Sequence, residues 1–273
     1  MAEKAEQVGV RKARMDAPRL FALAVLAGAF IALGGAFSTT AMAGSTLPYG
    51  ITRLVGGVVF SLGLILVIVG GAELFTGNTL IVMAWAGRKV RTVEVLRNWT
   101  IVYLGNFVGA VGTAALVFLS GQYRMGNGVA GASALAIADI KCGLEFMPAV
   151  ALGVLCNALV CLAVWMSFGA RSVADKVLVI VPPIAGFVAL GFEHSVANMY
   201  FVPLALMVQH LAPPEFWMSA GKTGGDYPHL NWLAFFTNNL LPVTLGNILG
   251  GSVLVGTMYW FIYLRGRKPD KQP

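Results

Sequence analysis

Two apolar stretches of this chain, residues 54–86 and 177–209, are each too long for one straight helix across a bilayer. Each is interrupted by the same polar spacing, Glu-x-x-x-x-Asn. The first break reads Glu73-Leu-Phe-Thr-Gly-Asn78 and the second Glu193-His-Ser-Val-Ala-Asn198. A cluster of polar and small residues in mid-membrane breaks a helix and supplies groups for the backbone it frees. Such backbone is tolerated at membrane depth only where it is buried in protein or faces a cavity. The two breaks therefore predict an all-α membrane protein with a polar route through it.

Four further apolar stretches, roughly 20–43, 99–120, 145–168 and 235–264, bring the expected crossings to six. Only 11% of the residues are charged and 58% are apolar, against about 25% charged in an average soluble domain. That excludes both a water-soluble globule and a disordered chain. The stretch from residue 20 exceeds the ~7–15 residues of a signal-peptide core, so it reads as the first crossing. The expected organisation is an N-terminal tail (1–19), a six-helix channel domain (20–264) and a C-terminal tail (265–273).

The charge pattern sets the orientation. With the N-terminus in the cytoplasm, the other side carries only Arg53, Arg124, Lys141 and Lys222 of the 19 Lys and Arg residues. Lys and Arg concentrate in cytoplasmic loops, so both termini are expected there, with the protein in the cell's inner membrane. The net charge of +7 then reflects topology, and no nucleic-acid partner is implied.

A second motif repeats in the same order. Leu104-Gly-Asn-Phe-Val-Gly-Ala110 follows the first break, and Leu245-Gly-Asn-Ile-Leu-Gly-Gly251 follows the second. Two matches in order indicate a duplication with three crossings per half. An odd number of crossings inverts the second half relative to the first. Inverted repeats with paired broken helices place a permeation site near the midplane.

Ionisable groups inside spans default to function. Here they are Glu73, Glu193 and His194, with Glu145 near a helix end. His194 is the histidine that lies inside an apolar region, and Thr76 sits at the other break, where an unwound segment can present its hydroxyl. Asn78, Asn106, Asn157, Asn198 and Asn247 suit helix–helix hydrogen bonds. Cys142, Cys156 and Cys161 lack metal-ligand spacing and read as buried free thiols. No metal or cofactor is expected. Ser195 beside His194 falls on a different helix face, and no nucleophile–base–orienter set exists, which argues against an enzyme. The paired Asn-Pro-Ala motifs of water channels are absent. From spacing alone, Phe60, Leu64, Leu74, Phe75, Val160 and Phe187 are indistinguishable from core or lipid-facing residues, and Lys141 is an ordinary outside lysine.

The motifs together are specific. Residues 73–78, Asn98-Trp99, Tyr103-Leu-Gly-Asn-Phe-Val-Gly109, Asn157 to Met166, Gly191 to Met199 and Thr237 to Asn247 resemble the formate/nitrite transporter family, and within it the formate-carrying members. The likeness runs from about residue 20 to 265. It implies an aquaporin-like six-helix protomer, assembled as a homopentamer in membrane lipid, with one pore per protomer. It implies passive or proton-linked transport of small monovalent anions, formate foremost, with nitrite, hydrosulfide and acetate close in size and charge. By the same resemblance His194 is the central pore histidine and Thr76 the threonine of the first break. Lys141 and Asn157 accompany the histidine on its outer side, and Glu193 adjoins it. Leu74, Phe75 and Phe187 are implied constriction residues, with Phe60, Leu64 and Val160 on the outer side.

Overall fold

The computed structural model describes residues 1–266, so most of the expected C-terminal tail lies outside the described residues. Those residues form helices and loops, with no strand among them. The N-terminal segment, expected only as a polar tail, is a helix, α1 (Ala2–Ala13). Then follow α2 (Ala17–Met42), α3 (Tyr49–Gly70), the short α4 (Phe75–Ala86), α5 (Thr92–Leu119), α6 (Val129–Cys142) and α7 (Phe146–Ser167). The chain continues through α8 (Val173–Ala189), α9 (Ser195–Leu211), α10 (Pro214–Ala220) and α11 (Trp232–Tyr263), the last containing two π-helical stretches.

Five of these helices, α2, α3, α5, α7 and α11, are long and apolar enough to cross a membrane. The expected fifth crossing is divided into α8 and α9, each of 17 residues. Counting the bent pair α9 and α10, which meet at 111°, raises the number to six at most. Helix starts follow local chemistry. The Asp16 carboxylate accepts the Arg19 N–H at 3.1 Å, with Pro18 in the first turn of α2. Ser172 and Asp175 form a reciprocal cap on α8.

The two breaks are built alike. Gly71 and Gly191 end α3 and α8 with φ of 74° and 73°, a left-handed conformation that glycine adopts without steric cost. The next residue folds its N–H back onto the ended helix: Ala72 to the Val67 carbonyl at 2.9 Å, Phe192 to the Phe187 carbonyl at 3.0 Å. Glu73 and Glu193 then donate their N–H to Leu23 and Leu152, the first on α2 and the second on α7.

The repeated Leu-Gly-Asn motif completes each break. Asn106 Oδ1 accepts the Phe75 N–H at 2.9 Å, while its Nδ2 donates to the carbonyls of Ala24 (2.8 Å) and Glu73 (3.0 Å). Asn247 makes the matching bonds to the Ser195 N–H (2.9 Å) and the carbonyls of Gly153 (2.8 Å) and Glu193 (3.0 Å). These asparagines do more than the interhelical bonding expected of them, because they satisfy backbone groups that would each cost several kcal/mol unpaired in hydrocarbon. The glycine three residues on permits the approach. A Cβ at Gly109 would collide with the Val25 carbonyl, and one at Gly250 with the Val154 carbonyl. Close backbone packing of α2 on α5 and of α7 on α11 thus holds both breaks in the middle of the bundle.

Candidate functional site

The two breaks meet at a buried hydrogen bond. His194 Nε2 lies 2.9 Å from Thr76 Oγ1, and the two residues are 2% and 0% exposed. His194 is also the N-cap of α9, its Nδ1 accepting the Ala197 N–H at 3.1 Å. A ring nitrogen that accepts an N–H carries no proton, so the imidazole as placed holds its proton on Nε2 and donates it to Thr76. Leu74, the residue matching His194 in the first half, cannot cap a helix and packs as an apolar wall. The asymmetry of one imidazole facing one hydroxyl is therefore written into otherwise matching halves.

A carboxylate–lysine pair stands at each side of this junction. Glu193 Oε1 pairs with Lys141 Nζ at 2.7 Å, and Oε2 accepts from Asn198 (2.7 Å) and Asn239 (3.1 Å). Glu73 Oε2 pairs with Lys12 Nζ at 3.0 Å and accepts from Asn78 at 2.8 Å. Asn78 in turn bonds Asn98, as Asn198 bonds Asn239. The spacing Glu-x-x-x-x-Asn is thus explained: the carboxamide returns to the carboxylate across one turn of the restarted helix.

Two cavities flank the junction. One, of about 300 Å³, is lined by Lys141, Glu193, His194, Phe60 and Phe187, among others. The other, of about 270 Å³, is lined by Lys12, Glu73, Leu74, Leu64 and Asn78, among others. In the first, Phe187 stacks on the His194 ring at 6.0 Å between centroids, and Phe60 meets Phe187 edge-on at 5.6 Å. The arrangement is a histidine and a threonine between two charged mouths, walled by aromatic and aliphatic side chains.

A model of the formate/nitrite transporter family matches residues 1–261. The chain belongs to that family. Among its relatives in the formate/nitrite transporter family it is 48% identical over 266 residues to the formate channel FocA of Escherichia coli, covering 97% of this chain and 93% of that one. It is 44% identical over 259 residues to the formate channel FocA of Haemophilus influenzae, covering 94% and 91%. A solved pentameric formate channel with formate bound superposes with a TM-score of 0.85 at 45% identity, covering 91% of this chain and 98% of that one. As a member of this family the protein is a transport protein and not an enzyme. Its long apolar helices make it a multi-pass membrane protein.

Not every residue stands where the resemblance implied. Leu64 lines the cavity of Lys12 and Glu73, opposite to Phe60. The two are one turn apart on α3, about 6 Å along its axis, and they line different cavities. Phe75 turns its ring to Tyr103 (4.9 Å) and Trp99 (6.2 Å) on α5 and lines neither of these cavities. Val160 is buried at 1% exposure, one turn from Val164 of the Lys12 cavity. Asn157 lies behind Thr76: its Nδ2 donates to the Thr76 carbonyl and Thr79 Oγ1, both at 3.2 Å, and to the Asn247 carbonyl at 2.6 Å. Its contacts include the first break, and it is not among the residues that line either cavity. Cys142, Cys156 and Cys161 are free and buried.

Sequence reasoning missed Lys12, counting it only as a cytoplasmic charge. The missed signal was positional. Lys12 and Lys141 stand equally far ahead of the first long helix of their halves, Ala17 of α2 and Phe146 of α7. α1 brings Lys12 into place through Glu6–Lys89 at 2.5 Å and through the Lys12 carbonyl, which accepts from Asn98 at 2.9 Å.

Proposed function

We propose that the protein conducts formate through a pore within each protomer, passing between the Lys141 and Lys12 mouths by way of Thr76 and His194. The observation that carries this reading is the 2.9 Å His194–Thr76 hydrogen bond between the two cavities. A monovalent anion is drawn to a mouth by the net positive charge of its lining, then meets a wall of Phe60, Phe187, Leu64 and Leu74. Crossing it fully charged costs several kcal/mol or more, because the anion loses its water. Loss of water also raises the pKa of a carboxylic acid, so proton and anion favour crossing together.

His194 serves in two ways. With its proton on Nε2 it donates a hydrogen bond to the anion but no net proton. Taking a second proton requires Nδ1 to release the Ala197 N–H, and the ring can then pass a proton on and let the neutral acid cross. The first state conducts without coupling, while the second couples uptake to protons. Phe187 and Phe60 narrow the outer approach, Leu74 and Leu64 the inner one, and Val160 packs between. Asn157 holds the Thr76 carbonyl, and Glu193 fixes Lys141.

Size and charge admit nitrite, hydrosulfide and acetate as further substrates of the same pore. Initial fluxes of formate, nitrite, hydrosulfide and lactate into proteoliposomes test the reading. We expect formate to be carried well above empty liposomes and lactate far less. Formate flux at the level of empty liposomes would overturn it. The same preparation should give five copies by native mass spectrometry, since exposed apolar residues on α5 and α11, such as Leu116, Leu119 and Leu249, suit both lipid and neighbouring protomers.

The proposed topology has six crossings within 20–264, in the inner membrane, with residues 1–19 and 265–273 in the cytoplasm. Lys222→Cys should therefore react with an impermeant thiol reagent added outside intact cells. Reaction only after the membrane is opened would refute this orientation.

A further inference from the structure

The cavity that holds His194 is lined by three charged residues among those described, Lys141, Glu193 and Arg53. Lys141 is already committed. Its Nζ pairs with the Glu193 carboxylate at 2.7 Å and lies 5.5 Å above the Phe201 ring, and its side chain is only 13% exposed. As a unit that pair is neutral. The net positive charge of this mouth therefore comes from Arg53.

Arg53 has no carboxylate partner among the described residues. Its Nη2 donates to the Val188 carbonyl, in the last turn of α8, and its Nε is buried without a partner. The carbonyl end of a helix carries partial negative charge, which holds the guanidinium in place without neutralising it. Of the four outside cations, Arg124 and Lys222 do not line this cavity. The Lys12 mouth differs: there Lys4, Arg11 and Lys176 line the cavity in addition to the Lys12–Glu73 pair.

We infer that Arg53 is the anion-receiving residue of the outer mouth, binding the carboxylate of the substrate before it reaches the Lys141–Glu193 pair. A guanidinium suits this role, because it stays charged and offers planar N–H donors to a carboxylate. This inference rests on the reading of the protein as an anion pore. It predicts a shift in half-saturation at the outer face only.

The test compares wild type, Arg53→Gln and Arg53→Lys. Initial formate uptake is measured into intact cells, where the outer mouth is met first, and into inverted vesicles, where the inner mouth is met first. Gln can still donate to the Val188 carbonyl, so the end of α8 stays tied. In Arg53→Gln cells the half-saturating formate concentration should rise roughly tenfold, the low end of what a focused cleft potential does to capture. Saturating flux should change little, and Arg53→Lys should restore most of the loss. Inverted vesicles should show no shift in half-saturation, while their saturating flux falls by the same factor, because a pore that does not drive transport keeps a fixed ratio of low-concentration permeabilities in its two directions. Raising the ionic strength should weaken wild-type capture at the outer face and leave Arg53→Gln nearly unaffected.

An unchanged half-saturation in Arg53→Gln cells, or an equal loss of saturating flux from both faces, would overturn the assignment. Wild type that carries no formate would instead sink the transport reading itself, so the two failures are distinct. If Arg53→Gln does not accumulate, the comparison of Arg53→Lys with wild type across ionic strengths decides. Capture without salt dependence in both would also overturn the assignment.

Discussion

His194→Phe should remove proton-linked formate uptake in proteoliposomes, and His194→Asn should leave a flux that no longer follows external pH. Phe keeps bulk and the stack on Phe187, 6.0 Å away, but it donates nothing. The substrate loses its hydrogen bond at the junction of the two breaks, Thr76 loses its partner, and α9 loses the cap on Ala197. A hydrogen bond to a charged group contributes about 1.5–3 kcal/mol, so flux should fall about ten- to a hundredfold. Asn is a strong N-cap residue and retains an amide donor, so α9 remains capped and the anion still finds a hydrogen bond. What Asn lacks is a group that takes and releases a proton. Wild-type uptake, corrected for the leak of empty liposomes, should rise as external pH falls from about 7 towards 5, because the proton that crosses with the anion becomes more abundant outside. His194→Asn should give a flat profile over the same range. Full wild-type pH dependence in His194→Asn would mean that another group handles the proton.

The parts of this site that could be read from sequence are those whose spacing reports a local geometry. Glu-x-x-x-x-Asn was legible because the carboxamide has to return to its carboxylate across one helical turn, and Leu-Gly-Asn because an asparagine and a close-packing glycine have to face one break together. Both were visible twice, which is why the inverted duplication emerged before any geometry. Residues that act across the fold left no such trace. Lys12 sits in a polar segment where lysines are common, and only its match to Lys141 distinguishes it. Leu64 and Phe60 are both apolar and one turn apart, so nothing in the sequence says that they line different cavities. Phe75 could have faced a pore or the aromatic residues of α5, and the tight backbone bond from Phe75 to Asn106 fixes which. Arg53 read as one of a few outside charges, because its significance depends on Lys141 being neutralised by a residue 52 positions away in the chain.

Lys141→Met should destabilise the protein strongly, and adding Glu193→Gln should restore most of the stability without restoring flux. Lys141 and Glu193 are a nearly buried pair, with side chains 13% and 7% exposed. Removing the lysine leaves a carboxylate in a poorly hydrated wall with only the Asn198 and Asn239 amides beside it. Breaking such a pair costs about 3–5 kcal/mol, whereas replacing both partners is often near neutral. For a chain of this size that corresponds to a fall on the order of 10 °C in the unfolding midpoint. Gln at 193 keeps a carbonyl oxygen for both asparagines and removes the stranded charge. The anion entering the outer mouth then meets Arg53 alone, with no lysine to carry it on to His194, so flux stays low although the fold recovers. Thermal unfolding in detergent and formate flux in liposomes, measured on the same three proteins, separate the two effects. Equal destabilisation in the single and double variants would show that Lys141 contributes through packing on Phe201 and not through its charge.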